Sequence, residues 1–251
     1  MIHYEEAGRG PVVVFLHGGA LDLREWDEQM VLAGRFRVIR VDARGHGRSE
    51  TPMTPFRQCD DVAELLGRLG VERAALVGLS MGAGAATDTA LEYPHLVSHL
   101  IVCGAGTNEP TFTDPWMLEI QRQMAEAQAR LDAPAWIELS LKQGVIGPYR
   151  ERADRSVEDR CREMITDTVN NHVKPGMVAP HHVIGSWERL GEISVPALGV
   201  IGSLDAPDHH AMVDRFVRDV PGARKAEIGG AAHVVNMDRP AEFNELLTQY
   251  L

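Results

Sequence analysis

Cysteine is scarce in this chain of 251 residues: Cys59, Cys103 and Cys161 stand far apart, with no CxxC pair among them. An odd, scattered set excludes a disulfide framework and a zinc knuckle, and a reducing cytoplasm is the compartment it predicts. Long apolar runs are missing too. No stretch approaches the roughly 20 residues needed to span a bilayer, and the opening MIHYEEAGRG carries acidic residues where a secretory leader needs basic and apolar ones. Positive charge is in deficit. A net charge of -11, with arginines dispersed along the chain, sets nucleic acid phosphates and anionic lipid surfaces aside as partners. No internal repeat or low-complexity tract interrupts the sequence. With 44% hydrophobic residues, the length suits one large core carrying an insertion.

What is present alternates. Short apolar runs at 11–18, 36–45, 74–80, 97–105 and 195–205 are mostly rich in Val, Ile and Leu, as strands buried on both faces of a parallel sheet are. Helical patterns at 21–32, 58–69, 81–92 and 208–219 lie between them, so the chain reads as successive βαβ units with helices on both faces of a mostly parallel sheet. Reacting groups of such folds gather at the carboxyl ends of the strands. The alternation fails once, over 107–190, where amphipathic helices are expected at 115–131, 133–144 and 156–171. The predicted organisation is therefore a core in two parts, 1–106 and 191–251, around an all-helical insertion at 107–190.

One strand end carries a motif. GLSMG (78–82) is a G-x-S-x-G sequence between an apolar strand and a helix of small residues, the context in which Ser80 would stand on a sharp nucleophile turn. The glycines answer to sterics, because bulky neighbours would collide on so tight a turn. A serine hydroxyl is a weak nucleophile without a base and a group to orient that base. Asp205 ends the apolar run of GVIGSLD, and His233 lies in GGAAHVVNM before the last helix. Singly, Asp205 could cap a helix and His233 could be an ordinary loop histidine. Together with Ser80 they compose a triad, with Asp208 the next candidate for the acid. FLHGGA (15–20) ends another strand in open backbone, so Gly19, or failing it Ala20, would donate one N–H to a substrate oxyanion and Met81 the other.

The segments HGG, VDARGHGRS, GLSMG, GSLD and GGAAHVVNMDRPAEF resemble the successive signatures of the α/β-hydrolase fold superfamily, covering nearly the whole chain outside the insertion. Within it the chain is similar to small bacterial esterases and hydrolases of the 3-oxoadipate enol-lactonase type. The resemblance implies the triad order Ser80, Asp205, His233, a helical cap at 107–190 and the cleavage of a small carboxylic ester or lactone through an acyl-enzyme. Because Ser80 stands where dehalogenases and epoxide hydrolases of this fold have aspartate, acyl transfer to water is the implied reaction. Carbon–carbon bond hydrolysis and cofactor-free perhydrolysis are alternatives on the same triad, and a slowly turning-over ligand receptor is an alternative of another class.

No cofactor is required by this chemistry, and the partner expected is the small-molecule substrate. The pairs His181-His182 and His209-His210 lack a carboxylate or cysteine set around them and are expected to be helix or surface histidines, with no metal site. His46 is expected to be structural and Cys103 a buried thiol. Trp116, Met124, Trp136 and Met164 give the insertion its apolar bulk, and from them a pocket with apolar walls is expected.

Overall fold

The computed structural model describes residues 1–251. Seven strands form: β1 (Tyr4–Ala7), β2 (Val12–Leu16), β3 (Arg37–Val41), β4 (Ala74–Leu79), β5 (Val97–Cys103), β6 (Ala197–Gly202) and β7 (Arg224–Ile228). They pair in the order β1-β3-β2-β4-β5-β6-β7, and only β1 runs antiparallel to its neighbour. Strands β2 to β6 fall inside the five apolar runs. The outer two, YEEA and RKAEI, contain no such run because an edge strand keeps one side open and carries charge there.

Eight α-helices complete the chain: α1 (Gln58–Arg68), α2 (Met81–Glu92), α3 (Pro115–Ala129), α4 (Ala133–Leu141), α5 (Arg155–His172), α6 (Pro207–Asp219), α7 (Val235–Asp238) and α8 (Pro240–Tyr250). Successive residues of β4 supply both faces of the sheet, as the period of two requires. Leu76 packs with Leu65 of α1, Ala86 of α2 and Phe216 of α6, whereas Ala75, Val77 and Leu79 pack with Trp26 and with Phe243 of α8. The expected helix at 21–32 is instead a 3-10 helix over Leu23–Gly34, kinked at Trp26. Side chains pull at its first turn. Asp42 accepts from the Leu23 N–H at 2.8 Å, and Glu25 turns inward to accept from the Gly18 N–H at 2.7 Å.

Between β5 and β6 every element is helical. Asp114, Asp132 and Asp154 cap α3, α4 and α5 by accepting from backbone N–H groups of the first turns. Helix α4 does not run on to 144 as expected; it passes into a π-helical turn at Lys142–Ile146. Leu141, Val145, Cys161, Met164 and Ile165 pack with Leu21, Val234 and Met237, which fastens this segment onto the loops at the strand ends. No helix is long and apolar enough to cross a membrane.

Candidate active site

Strand β4 delivers Ser80 into α2 with φ 52° and ψ -111°, a left-handed backbone that a side chain adopts only under constraint. The glycines supply the space. A Cβ on Gly78 would lie 2.1 Å from the carbonyl oxygen of Gly82, and one on Gly82 would lie 2.0 Å from that of Leu16. The Ser80 N–H donates to the Cys103 carbonyl at 2.8 Å, tying the turn to β5. Met81 opens α2, so its N–H has no partner within the helix.

Asp205 follows β6 and is buried, and its Oδ2 accepts from Nδ1–H of His233 at 2.9 Å. A carboxylate only accepts, so this bond leaves Nε2 of the neutral imidazole as the basic nitrogen. Burial pushes the Asp205 carboxyl up, but attraction and hydrogen bonds from His209 and His233 outweigh it and hold it well below the usual carboxylate range. Gly104, at φ 65°, leaves room for the His233 ring: a Cβ there would sit 2.6 Å from its Cε1. Ser80 and His233 line one cavity of about 310 Å³ together with Gly18 and Gly19.

His209 is on a helix as expected, but it corrects the expectation that no carboxylate stands beside it. It lies on α6 but is buried, its Nδ1–H donates to Oδ1 of Asp205 at 2.6 Å, and its ring stacks on that of His233 with centroids 4.1 Å apart. Burial lowers its pKa against the opposing pull of the Asp205 carboxylate. The i, i+4 spacing from Asp205 was the available signal, hidden because Asp205 precedes the helix proper. Asp205, His209 and His233 offer ligand atoms within 4.8 Å of one another, yet each Nδ1 is already committed to the carboxylate. Asp208 is occupied elsewhere, accepting from the N–H groups of Thr113 and Asp114 at 3.0 to 3.2 Å.

The loop after β2 is held from behind. His17 donates from Nδ1 to the Gly18 carbonyl at 2.8 Å and accepts at Nε2 from the Ala43 N–H at 3.0 Å. Glu25 supports Gly18, and burial raises its carboxyl to about 8. The Ala20 N–H donates to Nε2 of His46 at 3.3 Å, whereas the Gly19 N–H has no protein partner. That difference favours Gly19 over Ala20 as the free donor. Sequence reasoning missed Glu25 because an acid in a helical stretch reads as a solvated face.

Of the four expected pocket residues, the structure brings Met124 and Trp136 to the cavity wall. It does not bring Trp116 or Met164. Met164 is buried among Leu141, Cys161 and Ile165, on the face of α5 that packs inward, and Trp116 stands half-buried in the first turn of α3 away from the cavity. Helical spacing identifies an apolar face without saying which surface that face meets. The wall is also less apolar than expected, since Gln121, Ser140 and Gln143 join it, with Gln121 Nε2 donating to Gln143 Oε1 at 3.1 Å. The π-helical turn brings Gln143 and Gly144 to the cavity, a local irregularity that a 3.6-residue period does not reveal.

A family model described as alpha/beta hydrolase fold matches residues 11–240. Among curated proteins, a 2-hydroxy-6-oxononadienedioate/2-hydroxy-6-oxononatrienedioate hydrolase from Burkholderia vietnamiensis is 28% identical over 264 residues, covering 100% of this chain and 90% of the relative. Among solved structures, one described as Est816, an N-acyl homoserine lactone degrading enzyme, superposes with a TM-score of 0.79 at 27% identity, over 100% of this chain and 96% of that one. The enol-lactonase from Burkholderia xenovorans LB400 shares the fold with a TM-score of 0.73 at 24% identity, over 99% of this chain and 95% of that one.

Proposed function

We propose, from the premise that the chain belongs to the alpha/beta hydrolase fold family and is a hydrolase, that it cleaves a small uncharged carboxylic ester or lactone with Ser80, His233 and Asp205 as catalytic triad. The carrying observation is the Ser80 cavity: it combines a hydroxyl on a strained turn, an imidazole oriented by a buried carboxylate, and a wall with no Arg, Lys, Asp or Glu. Nε2 of His233 takes the Ser80 proton as Oγ attacks the carbonyl carbon. Asp205 keeps Nδ1 protonated and stabilises the imidazolium that forms. The Gly19 and Met81 N–H groups receive the oxyanion, helped by the N-terminus of α2. His233 then protonates the leaving oxygen as its bond to carbon breaks, and afterwards deprotonates the water that releases the acyl group.

Carbon–carbon hydrolysis is the second reading, favoured by the relative from Burkholderia vietnamiensis. A dioate such as its name states would call for a cation at the carboxylates, and the wall around Ser80 supplies none. The lactone-degrading likeness points the other way.

A panel of short-chain p-nitrophenyl esters, lactones and a vinylogous diketone decides between them. Turnover of esters and lactones, with fluorophosphonate labelling confined to Ser80, is the expected result. Higher kcat/KM on the diketone than on any ester or lactone would overturn the ester reading in favour of carbon–carbon cleavage, and labelling at another serine would remove Ser80 from the mechanism.

A further inference from the structure

A second cavity of about 510 Å³ adjoins the first, and the two share Ala20 and Trp136. It runs between the loops after β3 and the helical segment, over Phe56, Val169, Val178, Ala179 and Pro180. Its charged groups have partners of their own: a terminal nitrogen of Arg44 pairs with Asp61 at 2.8 Å, and Asp132 caps α4. At its margin Leu131, Val173 and Met177 are 89%, 62% and 42% exposed, an apolar rim that water alone would not favour. Two groups on its wall lack a partner, the Thr168 hydroxyl and Nε of Arg44. Thr168 is 8% exposed, and its Oγ1 is buried without a hydrogen bond, although most buried hydroxyls have one. An oxygen-bearing substituent of an occupant would find a partner at these two positions, whereas Phe56, Trp136, Val169 and Val178 meet an apolar chain.

We propose that this chamber receives the extended aliphatic acyl chain of an ester or lactone whose carbonyl lies at Ser80, with Trp136 as the partition between carbonyl and chain. The proposal rests on the ester reading above and names its substrate class: neutral acyl esters or lactones with a chain of about eight carbons, of which chains bearing an oxygen would also satisfy Thr168. Stereochemistry assigns the acyl side. The leaving oxygen must reach His233, and His233 and Val234 line only the Ser80 cavity. The acyl substituent leaves the tetrahedral carbon in a different direction, and the shared wall at Ala20 and Trp136, beside Gly19, is the opening available to it. A chamber of this size matches the usual range for sites that enclose a small molecule, and an apolar wall rewards each buried methylene.

The test uses two variants that fill the chamber without touching the Ser80 cavity, Ala179→Trp on an exposed loop position and Val169→Trp on half-buried α5. Kinetics of p-nitrophenyl acetate and octanoate are measured in the wild type and both variants, and methyl octanoate binding is measured by calorimetry in the Ser80→Ala background, where no turnover occurs. The wild type is expected to prefer octanoate by tenfold or more in kcat/KM, within the range one apolar pocket provides. Each variant is expected to lower that ratio by at least tenfold and to weaken methyl octanoate binding in parallel. Ester turnover with a chain-length ratio and a binding constant that neither variant alters would overturn the chamber and leave the ester reading standing. Loss of methyl octanoate binding on filling, with no ester hydrolysed by the wild type, would keep the chamber and overturn the ester reading.

Discussion

The two sides of the Ser80 cavity are held in place by different means. On the strand side, main-chain groups and buried carboxylates hold the parts closely: the Ser80 N–H bonds to Cys103, the Gly18 N–H to the Glu25 carboxylate, and His233, oriented by Asp205, sits in space left by Gly104. On the opposite side, Met124, Trp136 and Gln143 are half-buried side chains carried on α3, α4 and a π-helical turn. Backbone closeness of the first kind tolerates almost no change, since an added methyl group would lie within 2.1 Å of a carbonyl oxygen at Gly78 or Gly82. The second kind can be altered one side chain at a time. The proposed function places its chemistry on the rigid side and its choice of substrate on the adjustable one.

The comparison is sharpest at the proposed triad. Ser80→Ala should lower kcat by about 10⁶ with the fold unchanged by circular dichroism, and Asp205→Asn by about 10⁴ through the wrong imidazole tautomer. Parent-like turnover in either would place the chemistry elsewhere. On the adjustable side, Met124→Ala or Trp136→Ala should change the kcat/KM ratio between two acyl chains by about 10- to 200-fold while fluorophosphonate still labels Ser80. Met164→Ala is the contrast: being packed in the core, it should cost about 2–5 kcal/mol of stability in denaturant unfolding and leave the chain ratio alone. A ratio shifted by Met164 and untouched by Met124 would reverse the division.

His209 lies behind the rigid side and tests how far the rigidity extends. His209→Phe preserves the stack on His233 and removes one donor from Asp205, so kcat should fall about tenfold, the order of a hydrogen bond to a charged group. The acid limb of the pH–rate profile should also move to higher pH, because the carboxylate then concentrates its charge on the one remaining imidazole. A loss of kcat without that movement would make His209 a packing residue only.

The smallest effect concerns Glu25. Its folded carboxyl is raised by burial from the ordinary 4.5 to about 8, so between these values the folded state holds a proton that the unfolded chain has lost. The stability it contributes is fully present below pH 4.5 and is lost as pH rises through about 8. His17, His46 and His209 have lowered values, so their burial costs stability as pH falls below 6.5. Between pH 6.5 and 8 Glu25 should therefore dominate, with unfolding free energy declining by about 1.4 kcal/mol per pH unit. Glu25→Gln should flatten that slope, and an unchanged slope would remove Glu25 as its source.

The sequence by itself determined the buried strands, the helical segment between β5 and β6, and the roles open to Ser80, Asp205 and His233. Valine-rich runs, a serine between glycines and an acid and histidine at strand ends are local consequences of burial and sterics, and they can be read in order along the chain. Edge strands β1 and β7 escaped because exposure on one side erases the apolar run. Only the tertiary structure decided that Asp205 serves two histidines, that Glu25 rather than solvent meets Gly18, and that Met124 reaches the cavity while Met164 does not. Each of these depends on which surface one element presents to another distant in the chain. Periodicity fixes a face of a helix, but the partner of that face is set by how the whole sheet and its covering helices close around a single core.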